Sequence, residues 1–263
     1  MSAWFLLLPI LIPSAAALVL SSTKPRTGTE LAFCVGTIVT ANSILTLLIA
    51  WYAPAGALPL LRLSSTLAFA LRLDGLGILF SVLVSVLWVP TTFYALEYMK
   101  HEGREKAFFS WFILTYGVVL GIAFSANLLT LYFFYELMTL TTLPLVMHAM
   151  DDRARAAGRK YLIYSVGGAA CAFIALVFTI GHGAGAFFAM GGNLDATVAS
   201  VPRGYVAYSL SSGISGVRRQ GRGLSIPRMA AVRIRSPHPG HGAAPRRGRR
   251  QGRRIRDHPP DVY

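Results

Sequence analysis

One carboxylate lies in the middle of an otherwise apolar run: Glu136, within Leu128–Met150 (LLTLYFFYELMTLTTLPLVMHAM). At about 1.5 Å rise per residue this run spans roughly 34 Å as a helix, against a hydrocarbon core of about 30 Å. An ionised acid at that depth costs about 2.5–3.5 kcal/mol even on insertion scales. It is kept mainly where it faces a polar interior and finds a cationic or hydrogen-bonding partner. Lost hydration favours the neutral form of any carboxyl, the property that suits a buried acid to proton exchange. Pro144, further along the same run, lacks a backbone donor and so frees a carbonyl that water could reach. The plain alternative is a protonated Glu136 that bonds a neighbouring helix as structural glue.

Three other residues could support such chemistry: Lys160, His148 and Asp74. Each also has a plainer role. Asp74 precedes Gly75 and can cap a helix. Lys160 can snorkel to the membrane surface. His148, like His182, lies near the end of an apolar run and reads as an interfacial polar group. Cys34 and Cys171 both fall inside apolar segments and read as small packing residues. No phosphate loop, metal-ligand cluster or nucleophile triad is legible, so no catalytic residue, metal or cofactor is expected.

The elements that must position Glu136 follow from composition. Hydrophobic residues make up 54% of the 263-residue chain and charged residues 14%, too apolar for a soluble domain with an ordinary surface. Six runs have crossing length: Ala3–Leu20, Leu31–Trp51, Gly75–Ala95, Ala107–Phe124, Leu128–Met147 and Tyr161–Gly181. They lack the alternation of a barrel, so the expected fold is all-α, a polytopic transmembrane bundle of about six spans. Met1–Leu20 has no basic leader and reads as a retained first span. Ser125–Asn127 is a very tight link and predicts an antiparallel hairpin of spans four and five. Ser65–Leu73 alternates weakly and predicts a short strand or hairpin on the membrane surface. Gly117 and Gly121, and the GGAA run Gly167–Ala170, predict close helix packing.

Basic residues favour the loops after spans one, three and five, which carry nine against three on the other side. That places the N-terminus outside; the expected setting is the inner (plasma) membrane. The formal charge of +14 is concentrated at one end. Met1–Ser209 carries twelve Lys/Arg against nine Asp/Glu; Leu210–Tyr263 carries thirteen Arg against two Asp. The domain reading is 1–70 for two spans and the surface hairpin, 71–182 for spans three to six, 183–209 for a loop, and 210–263 for a disordered basic tail. A basic arm can bind nucleic acid or anionic lipid. This one follows span six on the outer face, so no nucleic-acid partner is expected.

RLDGLGILFSVLV, FFSWFILTYGVVLGIAFSANLLTLYFFYELMTLTTLPLV and AGRKYLIYSVGGAA resemble the antiporter-like subunits of respiratory complex I. Mrp-type cation/proton antiporter subunits and the membrane arms of energy-converting hydrogenases belong to the same family. The resemblance covers about Leu71–Phe178. It implies that Glu136 takes part in proton translocation, paired with a lysine on a broken seventh helix. It further implies other membrane subunits and lipid as partners, H⁺ as the ion with Na⁺ as an alternative, and no redox site in this chain. In that family inverted repeats place sites near the midplane. After the sixth span the pattern breaks. Codons can be chosen for Gly216–Pro237 and for Gln251–Tyr263 such that one base of offset gives GFGVKAGAFPFRAWLPYASAH and KAGVFAIIRLMY, both family-like. This places a frame slip between Tyr208 and Gly216 and makes the chain as written a non-functional fragment. The alternative from another class is a non-transporting scaffold in which Glu136 is structural.

Overall fold

A computed structural model describes residues 3–23, 28–52, 56–64, 67–100, 104–181 and 203–224. The chain divides into two units, Met1–Ser225 and Ile226–Tyr263, and the described residues all belong to the first. After a 3₁₀ turn at Ala3–Leu7 come α1 (Leu8–Ser22), α2 (Gly28–Tyr52), β1 (Ala57–Arg62), β2 (Ala68–Arg72), α3 (Gly75–Met99), α4 (Glu105–Ala123), α5 (Leu128–Val146), α6 (Asp152–Gly181) and α7 (Arg203–Leu224). Among the described residues six helices, through α6, are long and apolar enough to cross a membrane. Outward positions such as Leu76 and Leu79 are exposed large apolar side chains, as a lipid-facing surface requires.

The β1–β2 hairpin and the α4–α5 turn lie together at one end. β1 and β2 form an antiparallel hairpin, with an irregularity between Pro59 and Leu61. β2 is sewn to the α4–α5 turn: Arg72 N–H donates to Phe124 O at 2.7 Å, and Ala126 N–H to Ala70 O at 3.0 Å. At the other end the Phe108 ring, near the start of α4, packs edge-on against His148 after α5.

Helix contacts follow the small residues. A Cβ on Gly117 would fall 2.9 Å from Ile10 O and 3.3 Å from Pro13 Cβ, so α1 and α4 approach backbone to backbone there. A Cβ on Gly121 would run into the Phe134 ring of α5. Pro13 supplies no N–H to Pro9 O one turn back; the Asn42 Nδ2 of α2 donates to that carbonyl instead, at 3.3 Å.

The structure differs from the sequence reading in three places. The surface strand expected at Ser65–Leu73 forms as β2, but its partner β1 went unread. The sixth helix begins at Asp152, well before Tyr161, because Asp151 Oδ1 accepts from Ala154 N–H at 2.6 Å and starts a polar first stretch ahead of the apolar one. Residues 203–209, expected as loop, and 210–224, expected as the beginning of a disordered tail, form one helix, α7. α7 is held by close packing on α6, with Gly213 against Ala175 and Gly216 against Gly168 O and Cys171. Residues 183–202 and 225–263, the remainder of the expected loop and tail, lie outside the described residues, as do His182, Lys24 and Arg26.

Candidate functional site in the middle of the fifth helix

The start of α5 is fixed by one side chain with two duties. Asn127 Oδ1 accepts from Thr130 N–H and from Thr130 Oγ1, each at 2.8 Å, which caps the helix. Its Nδ2 donates to Ala68 O on β2 at 2.6 Å, and Ala70 N–H donates to Thr130 Oγ1 at 3.0 Å. The first turn of α5 is therefore clamped to the hairpin. Glu136 follows about two turns further down.

On the α4 side of α5 the contact is apolar, Phe134 over Gly121. On the α6 side it is polar. Tyr132 Oη donates to Ala169 O at 3.3 Å, and Thr142 Oγ1 and Tyr161 Oη share a hydrogen bond of 2.7 Å. Tyr161 is fully buried. These two ties fix the antiparallel register of α5 and α6, and interpolation between them sets Glu136 opposite Ser165–Val166. Glu136 is half-buried, with Oε1 shut off from solvent. Tyr135 immediately precedes Glu136 on α5 and Tyr132 lies one turn before it. Ser165 is 1% exposed and its Oγ meets no hydrogen-bonding partner among the described residues. Tyr161 and Ser165 are thus buried hydroxyl-bearing residues of α6, and Glu136 lies on α5 between the two ties, with Pro144 in the last turn of the helix.

The other sequence-predicted residues stand apart from Glu136. Asp74 caps α3, its Oδ1 accepting from Gly77 N–H at 2.7 Å at the hairpin end. His148 lies about 18 Å along the helix direction from Glu136, at 1.5 Å per residue; its Nδ1 is 3.1 Å from Leu145 O. Lys160 is exposed on α6 beside Tyr161. Tyr161, Ser165 and Thr142 were not singled out from the sequence: a hydroxyl in an apolar helix has no local signal, and only the α5–α6 register brings these together. Among the described residues no group of His, Cys, Asp or Glu could hold a metal ion.

No protein-family model matches the chain. It aligns with the A/B subunit of a probable K(+)/H(+) antiporter of Rhizobium meliloti (strain 1021), 33% identical over 135 residues, which is 51% of this chain and 13% of that protein. The A1 subunit of a Na(+)/H(+) antiporter of Staphylococcus aureus (strain Newman) is 34% identical over 101 residues, 38% of this chain and 13% of that one. The alignments thus take in about an eighth of either relative's length. Among solved structures, a chain of the membrane-bound sulfane sulfur reductase, an archaeal respiratory membrane complex, superposes with a TM-score of 0.57 at 15% identity, over 80% of this chain and 43% of that chain. That likeness is one of fold. The chain is a multi-pass membrane protein with, among the described residues, six helices long and apolar enough to cross a membrane, and about half of it is similar in sequence to subunits of cation/proton antiporters.

Proposed function

We propose that the intact gene product is a proton-translocating subunit of a multi-subunit membrane complex, with Glu136 as the group that takes and releases the proton, and that the chain as written is a non-functional fragment of it. The observation that carries this reading is a mid-span carboxyl with Oε1 shut off from solvent, on a helix tied to α6 by two hydroxyl hydrogen bonds on either side of it. A carboxyl shielded from solvent, with hydroxyls on the adjoining turns, exchanges a proton with water threading the seam. Pro144 loosens the helix one end of that seam lies on. A cation brought to about 4 Å contributes roughly 4 kcal/mol at an effective dielectric near 20, enough to decide whether such a carboxyl keeps its proton. The resemblance assigns that cation to a lysine of the seventh helix. α7 carries arginines and no lysine. The frame slip between Tyr208 and Gly216 accounts for this, and translation of the nucleotide sequence beyond codon 205 in all three frames tests it; no lysine-bearing segment in any frame refutes it. Partners are other membrane subunits, the setting is the plasma membrane with the N-terminus outside, and the ion is H⁺ with Na⁺ as the alternative.

The deciding experiment places Glu136→Gln in a frame-restored gene and follows proton uptake by membrane vesicles. Assembly with lost translocation supports the reading. Unchanged translocation favours the scaffold, in which the carboxyl ties α5 to its neighbours.

A further inference from the structure

A second polar cluster lies among α1, α2, α3 and α4, away from Glu136. Ser43 and Thr46 of α2, Ser81 and Ser85 of α3 and Tyr116 of α4 are all at most 3% exposed. Most of their protons are accounted for. Thr46 donates to Asn42 O and Ser81 to Ile78 O. Tyr116 Oη donates to Ser85 Oγ at 3.2 Å. With its single proton spent there, Tyr116 must accept from Ser43, across 2.8 Å. The chain therefore runs Ser43 to Tyr116 to Ser85, and the proton of Ser85 meets no acceptor among the described residues.

Two further atoms end without a protein partner among the described residues. Asn42 Oδ1 is one; its residue is 1% exposed, and its Nδ2 is already engaged by Pro9 O. Trp88 Nε1 is the other; its ring stacks on Tyr116 at 5.0 Å and 15°. The loose ends are two donors and one acceptor. An orphaned buried polar group costs about 1–3 kcal/mol. Residues 42 and 43 are adjacent, 85 and 88 are one turn apart, and Tyr116 touches both pairs.

We infer that Asn42, Ser85 and Trp88 bind internal water between α1–α4. Water is the ligand whose chemistry matches: two lone pairs accept from Ser85 and Trp88, and a proton goes to Asn42 Oδ1. Three hydrogen bonds is about the usual number for a buried water. This water lies away from Glu136, among residues that carry no acid.

Radiolytic hydroxyl footprinting of the purified full chain in lipid nanodiscs tests this. Radicals arise from water where it sits, so a dry buried ring is spared. The expected result is oxidation of Trp88 and Tyr116 several-fold faster than of Phe109 and Phe134, which are buried without such polar neighbours. Ser85→Ala and Asn42→Leu lower that labelling, while Ser81→Ala, whose hydroxyl serves its own helix, leaves it unchanged. Labelling of Trp88 and Tyr116 no faster than Phe109 in the wild-type protein overturns the inference, as does undiminished labelling in both loss variants.

Discussion

The two sides of α5 are built from different materials. Toward α4 the helix offers Phe134, which lies over Gly121 with no room for a Cβ between them. Toward α6 it offers Tyr132, Tyr135 and Thr142, with Glu136 on the neighbouring turn. In lipid the apolar side gains from close van der Waals approach, which small residues permit. A carboxyl and several hydroxyls on the other side are a cost there unless they are partnered or wet. One side secures the helix, and the other leaves a polar seam that packing alone does not require.

Breaking the apolar side has the largest expected effect. Gly121→Leu drives a branched side chain into the Phe134 ring. Overpacking costs about 1–3 kcal/mol and occasionally more, and here backbone on both helices must move. Loss of monodisperse protein in size-exclusion chromatography checks it, and Gly121→Ala stands between that variant and wild type. Next comes the clamp. Asn127→Ala removes the cap, about 1 kcal/mol, and strips Ala68 O of its donor, a further 1–3 kcal/mol if water fails to replace it. Thermal unfolding in detergent should show a lower Tm, together with faster hydrogen exchange in 68–72. Asp74→Ala, which removes a cap without a cross-tie, costs only about 1 kcal/mol, and the difference between the two variants measures the tie to the hairpin.

On the polar side the same kind of change is mild for stability. Tyr161→Phe deletes the hydrogen bond to Thr142, and interhelical bonds of this kind in membranes average about 0.6 kcal/mol. Its Tm should fall less than that of Asn127→Ala, while proton uptake by the frame-restored protein should fall more. An equal or greater loss of Tm in Tyr161→Phe would erase the distinction between the two sides.

The spans were legible because each is a long apolar run, and the cap at Asp74 because a short polar side chain immediately precedes one; Asn127 was legible only as part of a tight link, and its capping role needed the structure. Glu136 stood out by contrast with its surroundings. β1 was not legible: ALPLLR alternates poorly and contains Pro59, so its strand conformation rests on β2 rather than on its own pattern. α7 is rich in Gly, Ser and Arg, which masks its apolar stripe of Val206, Leu210 and Ile214; its helix is held by Gly213 and Gly216 meeting Ala175 and Gly168, contacts no local window contains. Ser165 and Tyr161 needed the α5–α6 register. Asn42 needed Pro9 O, a partner across 33 positions of sequence.

The central claim is that Glu136 lies within reach of water in the seam between α5 and α6. Infrared difference spectroscopy of the purified protein in lipid, with the carboxyl band assigned by its absence in Glu136→Gln, tests this most directly on transfer to D₂O. The predicted result is prompt isotope exchange of that carboxyl, on the timescale of solvent mixing. A band still unexchanged after hours, while the protein remains folded, would contradict the account and leave Glu136 as a dry structural acid.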